Sequence, residues 1–155
     1  MEAKSIVINV RGFKFEVLLG PILKKSLPST RLSKLCRHLV QLEPNKYEIA
    51  KLCDKHNEDL TEFFFECDPF IFNRILGFYQ SGKLHFSHSE CVSYICDELF
   101  YWQIEEDFLE DCCKTVYFEK SEEIEKTIQK EIALREKLNF RPDYGERLFP
   151  QLRGL

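Results

Sequence analysis

Residues 63–85 read FFFECDPFIFNRILGFYQSGKLH, a stretch that carries strand and helix signals in close succession. The three phenylalanines, Phe63–Phe65, favour a short buried strand of a small sheet. Asp68 is suited to cap a helix, because proline follows it at the first helical position and Gly82 stands where the helix would stop. We therefore predict a helix over Pro69–Ser81, directly after a strand.

The residues before this stretch predict a β-hairpin and a helix. Apolar residues from Ile6 to Val10 lead into Arg11-Gly12, after which apolar and charged residues alternate as in a half-buried strand. Ser29-Thr30 is suited to cap a helix whose apolar residues share one face: Leu32, Leu35, Cys36 and Leu39. Glu48–Cys53 is a short apolar run compatible with a further strand or with a buried helix, which periodicity does not distinguish.

The residues after the opening stretch predict further helices. Ser89 is suited to begin a helix with a wide apolar face, which comprises Val92, Ile95, Cys96, Leu99 and Phe100. Apolar residues from Ile104 to Leu109 indicate another helix that ends at Cys112-Cys113. Because strands come first and helices follow, without a βαβ alternation, we predict an α+β fold with a small mixed sheet.

The composition changes beyond Val116. Residues 119–137 are mostly charged, and Ile124, Ile128 and Ile132 form a thin apolar stripe at a spacing of four, which predicts a solvated helix. Residues 141–145, RPDYG, would end it. We predict a folded domain over residues 5–118 and a charged helical segment over residues 119–155.

Charge and cysteine content exclude several classes of protein. The formal net charge is −4, with 22 basic and 26 acidic residues intermixed, so no basic stripe is present and nucleic acid is not an expected partner. Seven cysteines without an apolar leader sequence favour a reducing cytosolic environment. No apolar run approaches the length of about 20 residues needed to cross a bilayer, so we expect no direct membrane insertion by these residues.

Four residues form a candidate metal site. His85 is followed after five residues by Cys91, and twenty residues later by Cys112 and Cys113. Three thiolates and one imidazole are the ligands of a tetrahedral structural zinc site. Adjacent helical residues project about 100° apart, so we expect Cys112 and Cys113 to share an ion only where their helix ends.

Two other interpretations of these residues stay open on the sequence alone. Free cysteines are among the most buried side chains, so the cluster could be incidental, and the usual two short ligand pairs are absent. The remaining cysteines, Cys36, Cys53, Cys67 and Cys96, match no metal spacing, and we expect them to be core or surface residues. A redox sensor built on Cys112-Cys113 is a further alternative.

An enzyme is not expected. Cysteine and histidine could form a nucleophile pair, but no thiol stands beside an orienting partner in a recognisable pattern. The six glycines are scattered, which excludes a phosphate-binding loop, and Glu105-Glu106 is typical of a helix surface.

Five segments together resemble the tetramerization domain, of BTB/POZ-like type, of voltage-gated potassium channels. The resemblance covers residues 5 to about 118. It is carried, in the order and spacing of that family, by IVINVRGFKF (6–15), LPSTRLSKL (27–35), FFFECDPFIF (63–72), ILGFYQSGKLH (75–85) and DELFYWQIEEDFLEDCC (97–113). This resemblance implies a non-enzymatic assembly module that holds four subunits together at the cytoplasmic face of the plasma membrane.

The resemblance also implies a zinc ion (Zn²⁺) shared between subunits, as in family members outside the Shaker type. His85, Cys112 and Cys113 would ligate from one subunit, and Cys91 from its neighbour. The implied partners are identical or related channel subunits, together with an auxiliary cytoplasmic subunit. Residues 119–155, including Arg147-Leu148-Phe149, would form the linker towards the first membrane helix.

The sequence departs from the family pattern at three places. Arg11 replaces a glycine in the hairpin turn, Glu66-Cys67 replaces an aspartate and arginine, and Gln80-Ser81 replaces an arginine and threonine. Such differences imply a divergent or heteromeric subunit. The rival function is a BTB-type adaptor that recruits substrates to a cullin ubiquitin ligase, which would need no metal.

Overall fold

The hairpin at the amino-terminal end forms as predicted. The computed structural model describes residues 4–25 and 27–138. Strands β1 (Ser5–Val10) and β2 (Phe13–Leu18) pair antiparallel. Arg11 and Gly12 between them have φ angles of +49° and +92°, the two left-handed positions of a type I′ turn, and the Gly12 amide donates to Asn9 Oδ1 at 2.9 Å. An arginine thus occupies a turn position that glycine would adopt with less strain.

The phenylalanine run forms the strand that completes the sheet. β4 (Glu62–Phe65) lies parallel to β1, and the two-residue β3 (Lys55–His56) pairs antiparallel with β4. The strand order is β2-β1-β4-β3. Phe63 and Phe65 point into the core on one face, as the two-residue period requires. The mixed sheet and the α+β class are confirmed.

Helices make up most of the remaining described chain. They are α1 (Leu19–Lys24), α2 (Arg31–Leu39), α3 (Lys46–Leu52), α4 (Pro69–Ser81), α5 (Val92–Trp102) and α6 (Asp111–Lys137), with a 3₁₀ turn at Glu106–Phe108. Residues 48–53, which the sequence left open between strand and helix, are helical up to Leu52. Asn45 begins that helix, because its Oδ1 accepts from the amides of Tyr47 and Glu48 at 3.0 and 3.3 Å.

Helix α4 has the predicted bounds. Asp68 Oδ1 accepts from the amides of Phe70 and Ile71 at 2.8 and 3.0 Å, so the carboxylate satisfies donors that have no partner within the helix. At the other end Gly82 adopts φ +83°, and its amide donates to Phe78 O at 2.8 Å. This left-handed cap is the conformation for which glycine is favoured.

The predicted cap of α2 is wrong in its chemistry. Thr30 occupies the cap position, but its side chain makes no capping hydrogen bond. The hydroxyl instead donates to Leu27 O at 3.1 Å and accepts from the buried Tyr79 hydroxyl at 2.5 Å. The Thr30 hydroxyl, which the sequence predicted to cap α2, is therefore used in a tertiary contact with α4.

The predicted bounds around Cys112 and Cys113 are also wrong. Rather than ending a helix, these residues stand in the first turn of α6. Leu109, just before α6, has an extended backbone and pairs with Leu84 in an isolated parallel bridge. Ile104 and Leu109 are buried from a segment that contains only a 3₁₀ turn. Helix α5 likewise begins at Val92 and not at Ser89.

Trp102 is the centre of the core between the sheet and the helices. Its ring lies 4.9 Å from that of Phe65 on β4 and 4.7 Å from that of Phe72 on α4. Of the four cysteines expected to be core or surface residues, Cys36, Cys53 and Cys67 are buried and Cys96 is half-buried. Burial raises the pKa of the three buried thiols to about 12, 11 and 12, so they stay protonated at neutral pH.

The charged carboxy-terminal stretch is helical and solvated, as predicted, but its helix begins earlier. Helix α6 runs unbroken from Asp111 to Lys137, and Ile128 on its apolar stripe is 52% exposed. By its contacts the chain divides into two units, residues 1–117 and 118–155. The predicted break at residues 141–145 and the Arg147-Leu148-Phe149 segment lie outside the described residues. None of the helices within the described ranges has the length and apolarity to span a bilayer.

We expect Asp68→Ala to lower the free energy of unfolding by about 1–2 kcal/mol, because two amide donors of α4 lose their acceptor. Asp68→Asn keeps an oxygen at the same place and should lose less than half of that. Urea unfolding followed by circular dichroism measures both variants. Equal losses would show that the carboxylate does not act as a cap.

Candidate metal centre

The candidate site is assembled by the contact between Leu84 and Leu109. The two residues pair in a parallel bridge, and the Glu110 amide donates to Leu84 O at 3.1 Å. Leu84 and Phe86 are buried while His85 between them is exposed, because side chains alternate along an extended segment. The imidazole is therefore held on the surface, beside the start of α6.

Three of the four predicted ligands converge there. The distance from His85 Nδ1 to Cys112 Sγ is 3.3 Å and to Cys113 Sγ is 3.7 Å, and the two sulfurs are 3.8 Å apart. Among the described residues, these three form the one group of histidine, cysteine or acidic side chains close enough to hold an ion together. Cys113 is buried and its thiol donates to Phe86 O at 3.6 Å, while Cys112 and His85 are exposed.

These distances fit a tetrahedral zinc ion. Bonds of about 2.3 Å to sulfur and about 2.0 Å to nitrogen, at tetrahedral angles, place two sulfurs about 3.8 Å apart and a sulfur and a nitrogen about 3.5 Å apart. The observed separations lie within a few tenths of an ångström of these values. Two thiols and an imidazole also match the preference of zinc for nitrogen and sulfur donors.

The start of a helix suits this pair of cysteines better than the predicted end. Only within a terminal turn can neighbouring side chains both reach beyond the helix, and the amino-terminal turn also has free amides and a positive dipole that favour thiolates. Desolvation, followed by the hydrogen bond to Cys113 and its charge, raises the pKa of the Cys112 thiol. Without a cation the thiol is therefore favoured, and an ion must displace protons to bind.

Cys91 does not belong to the converged group. It is exposed and stands at the cap position of α5, yet its side chain makes no capping hydrogen bond. Serine, threonine, aspartate or asparagine is preferred at such a position, so cysteine here leaves the thiol uncommitted to the helix. The site within one chain has three ligands, and a structural zinc ion takes four.

The sequence did not predict the contact of Arg74 with the residues near the site. Arg74 on α4 reaches the segment between His85 and Cys91, where its Nη1 donates to His85 O at 3.4 Å and its Nη2 lies 3.3 Å from Glu90 Oε1. Nothing in the local sequence pairs Arg74 with Glu90. A partial signal was available at Glu90, since a glutamate three residues after Ser87 has capping-box spacing.

Comparison with known proteins places this domain in a family. The family model for the BTB/POZ domain matches residues 6–112. The delayed-rectifier potassium channel regulatory subunit KCNS3 of Mus musculus is 38% identical over 124 residues, which cover 79% of this chain and 23% of that protein. The voltage-gated potassium channel regulatory subunit KCNG1 of Homo sapiens is 34% identical over 128 residues, 83% of this chain and 24% of that protein.

A third relative has the same character. The voltage-gated potassium channel regulatory subunit KCNG2 of Gallus gallus is 39% identical over 121 residues, 77% of this chain and 22% of that protein. The chain thus spans about a quarter of the length of the relatives it matches. These similarities confirm the resemblance stated from the sequence and the expectation of a non-enzymatic domain. The chain belongs to the BTB/POZ domain family and is related to the regulatory subunits of voltage-gated potassium channels.

Proposed function

We propose that residues 5–118 are the cytoplasmic assembly module of a voltage-gated potassium channel subunit, which joins four subunits beneath the membrane part of the channel. The observation that carries this proposal is the incomplete ligand set: His85, Cys112 and Cys113 converge, while the fourth candidate, Cys91, is exposed and apart. A site with three ligands and an unused thiol elsewhere on the same chain is completed when a second copy supplies that thiol.

In this proposal a zinc ion links neighbouring subunits. His85, Cys112 and Cys113 of one subunit and Cys91 of the next would hold it, and the ion would supply a structural link with no catalytic step. Because the donor surface and the acceptor surface differ, each subunit would contact its neighbours head to tail, and four such contacts form a ring when the rotation between subunits closes. The sulfur and nitrogen donors that converge at these separations support zinc over harder cations, which prefer oxygen ligands.

We further infer that the subunit is regulatory and selects related subunits as partners. The relatives are named as regulatory subunits, and this chain departs from the family pattern at Arg11, Glu66-Cys67 and Gln80-Ser81. Two of these departures meet: Arg11 Nε lies 3.3 Å from Glu66 Oε2 on an exposed surface. An exposed ion pair contributes little to folding but can discriminate between partner surfaces.

The remaining residues and partners complete the proposal. Residues 119–155 would link the assembly module to a membrane domain, at the cytoplasmic face of the plasma membrane. An auxiliary cytoplasmic subunit is a further proposed partner.

We expect the chain to assemble in the presence of zinc and to dissociate when a strong chelator removes it. Cys91→Ala should abolish zinc-dependent assembly, because the fourth ligand is gone. Each protomer should stay folded, because the three-ligand group within the chain is untouched. Sedimentation velocity with parallel metal analysis measures both effects. Ser93→Ala, an exposed change two residues away, is the matched control.

Three outcomes separate this proposal from its rivals. A chain that ignores chelation and binds a cullin scaffold would support the ubiquitin-ligase adaptor. Loss of folding in Cys91→Ala would place the complete site within one chain. Oxidation of Cys112 and Cys113 to a disulfide with no bound metal would support the redox sensor.

Zinc binding should strengthen as pH rises. The raised pKa of the Cys112 thiol means that the proton must leave on binding, so each such thiol weakens apparent affinity by about tenfold per unit of falling pH. Competition with a metal-indicator dye between about pH 6 and pH 8 measures the slope. Cys112→Ser should reduce both the affinity and the slope. An affinity independent of pH would contradict thiolate ligation.

A further inference from the structure

The loop between the candidate ligands His85 and Cys91 is closed by its own hydrogen bonds. The Ser87 amide donates to Glu90 Oε2 at 2.7 Å, and the Glu90 amide donates to Ser87 O at 3.1 Å. The hydroxyls of Ser87 and Ser89 share a further hydrogen bond of 2.7 Å. These contacts fold the loop into a turn of defined shape. The loop's own hydrogen bonds therefore help to fix the distance between its ends at His85 and Cys91.

Arg74 attaches both ends of this loop to α4. Its Nη1 donates to the carbonyl of His85 at one end, and its Nη2 pairs with Glu90, the residue before Cys91, at the other. The two side chains of the pair are only 38% and 25% exposed, so the pair is screened by water less than the surface pairs of α6. Helix α4 itself is fixed in the core by Phe72 and Ile75, which are fully buried.

An arginine suits this attachment at position 74 better than a lysine would. A planar guanidinium presents separate N–H donors in a fixed fork, so one nitrogen can address a carbonyl while another addresses a carboxylate. A lysine ammonium carries its donors on a single nitrogen, so it matches two acceptors that lie along a fork less well. Glu90, which carries this carboxylate, directly precedes Cys91 in the chain, and the Cys91 thiol makes no capping hydrogen bond to α5.

We propose that Arg74 is a positioning residue for assembly: through Glu90 it holds Cys91 in the place from which its thiol reaches the three-ligand group of a neighbouring subunit. This inference rests on the proposed sharing of zinc between subunits. The ion pair limits the conformational freedom of Cys91 before assembly, so less conformational entropy is lost when its thiol completes the ligand set. Pre-organisation of this kind increases affinity without a new contact.

Arg74→Gln should weaken zinc-dependent assembly by roughly three- to tenfold, the effect of losing a hydrogen bond of ordinary net strength at a partly exposed site. Glu90→Gln, which removes the charge from the other partner, should have a similar effect. Arg74→Lys should recover only part of the loss. Arg135→Gln removes an arginine from a 3.3 Å ion pair with Glu131 on α6 and is the matched control, which should assemble as the unchanged chain does. Sedimentation of the zinc-loaded chain over a concentration series gives the association constants.

A double-mutant cycle shows whether Arg74 acts through Cys91. In the Cys91→Ala background, Arg74→Gln should leave the residual metal-independent association, measured at high protein concentration, unchanged, because the thiol it positions is gone. Titration with Co²⁺ in that background reads the three-ligand group alone, through its thiolate absorption, and Arg74→Gln should leave it unchanged.

The outcomes distinguish this inference from the function on which it rests. If the unchanged chain assembles regardless of chelation, the shared zinc itself is refuted. If assembly of the unchanged chain needs zinc and Arg74→Gln has the same association constant, zinc sharing stands and the positioning role is refuted. If Arg74→Gln impairs Co²⁺ binding in the Cys91→Ala background, the arginine acts on His85 and the inference about Cys91 is overturned.

Discussion

The short bridge between Leu84 and Leu109 is the constraint on which the candidate site depends. It places an extended segment from the end of α4 beside the residues that lead into α6, so the exposed His85 faces Cys112 and Cys113. Both leucines are buried, so hydrophobic packing, and not the ligands themselves, brings the three donors together. A group assembled by the core in this way is formed before any ion binds. Binding an ion then costs little free energy for ordering the protein.

Helix α4 connects the core to the candidate site. One face packs Phe72 against Trp102, while another presents Arg74 to the loop that separates the candidate ligands. The cap at Asp68 and the stop at Gly82 set the limits of the helix, and with them the place where the chain turns towards His85. Stability and the geometry of the site are therefore coupled through one element, and a change in the cap or the core contacts of α4 would also shift the loop.

The distribution of the cysteines separates two chemical environments within one small domain. Cys36, Cys53 and Cys67 are buried, and burial raises the pKa of their thiols well above neutrality, which makes them poor ligands. Cys91 and Cys112 are exposed, so their thiols are accessible to an ion or to another subunit. The proposed sharing of an ion would use the accessible thiols, while the buried ones stay inert in the core.

Local sequence determined the hairpin, the strand at Phe63–Phe65, the bounds of α4 and the identity of the candidate ligands, because turns, caps and donor types are encoded within a few neighbouring residues. Tertiary structure alone decided that Cys112 and Cys113 begin a helix, that Thr30 bonds Tyr79 instead of capping α2, and that Arg74 contacts Glu90. The two side-chain contacts join residues far apart in the chain, and the start of α6 follows a bridge between the equally distant Leu84 and Leu109. Periodicity and capping rules describe one element at a time, so they could name the ligands but not the contacts that bring three of them together and leave Cys91 apart.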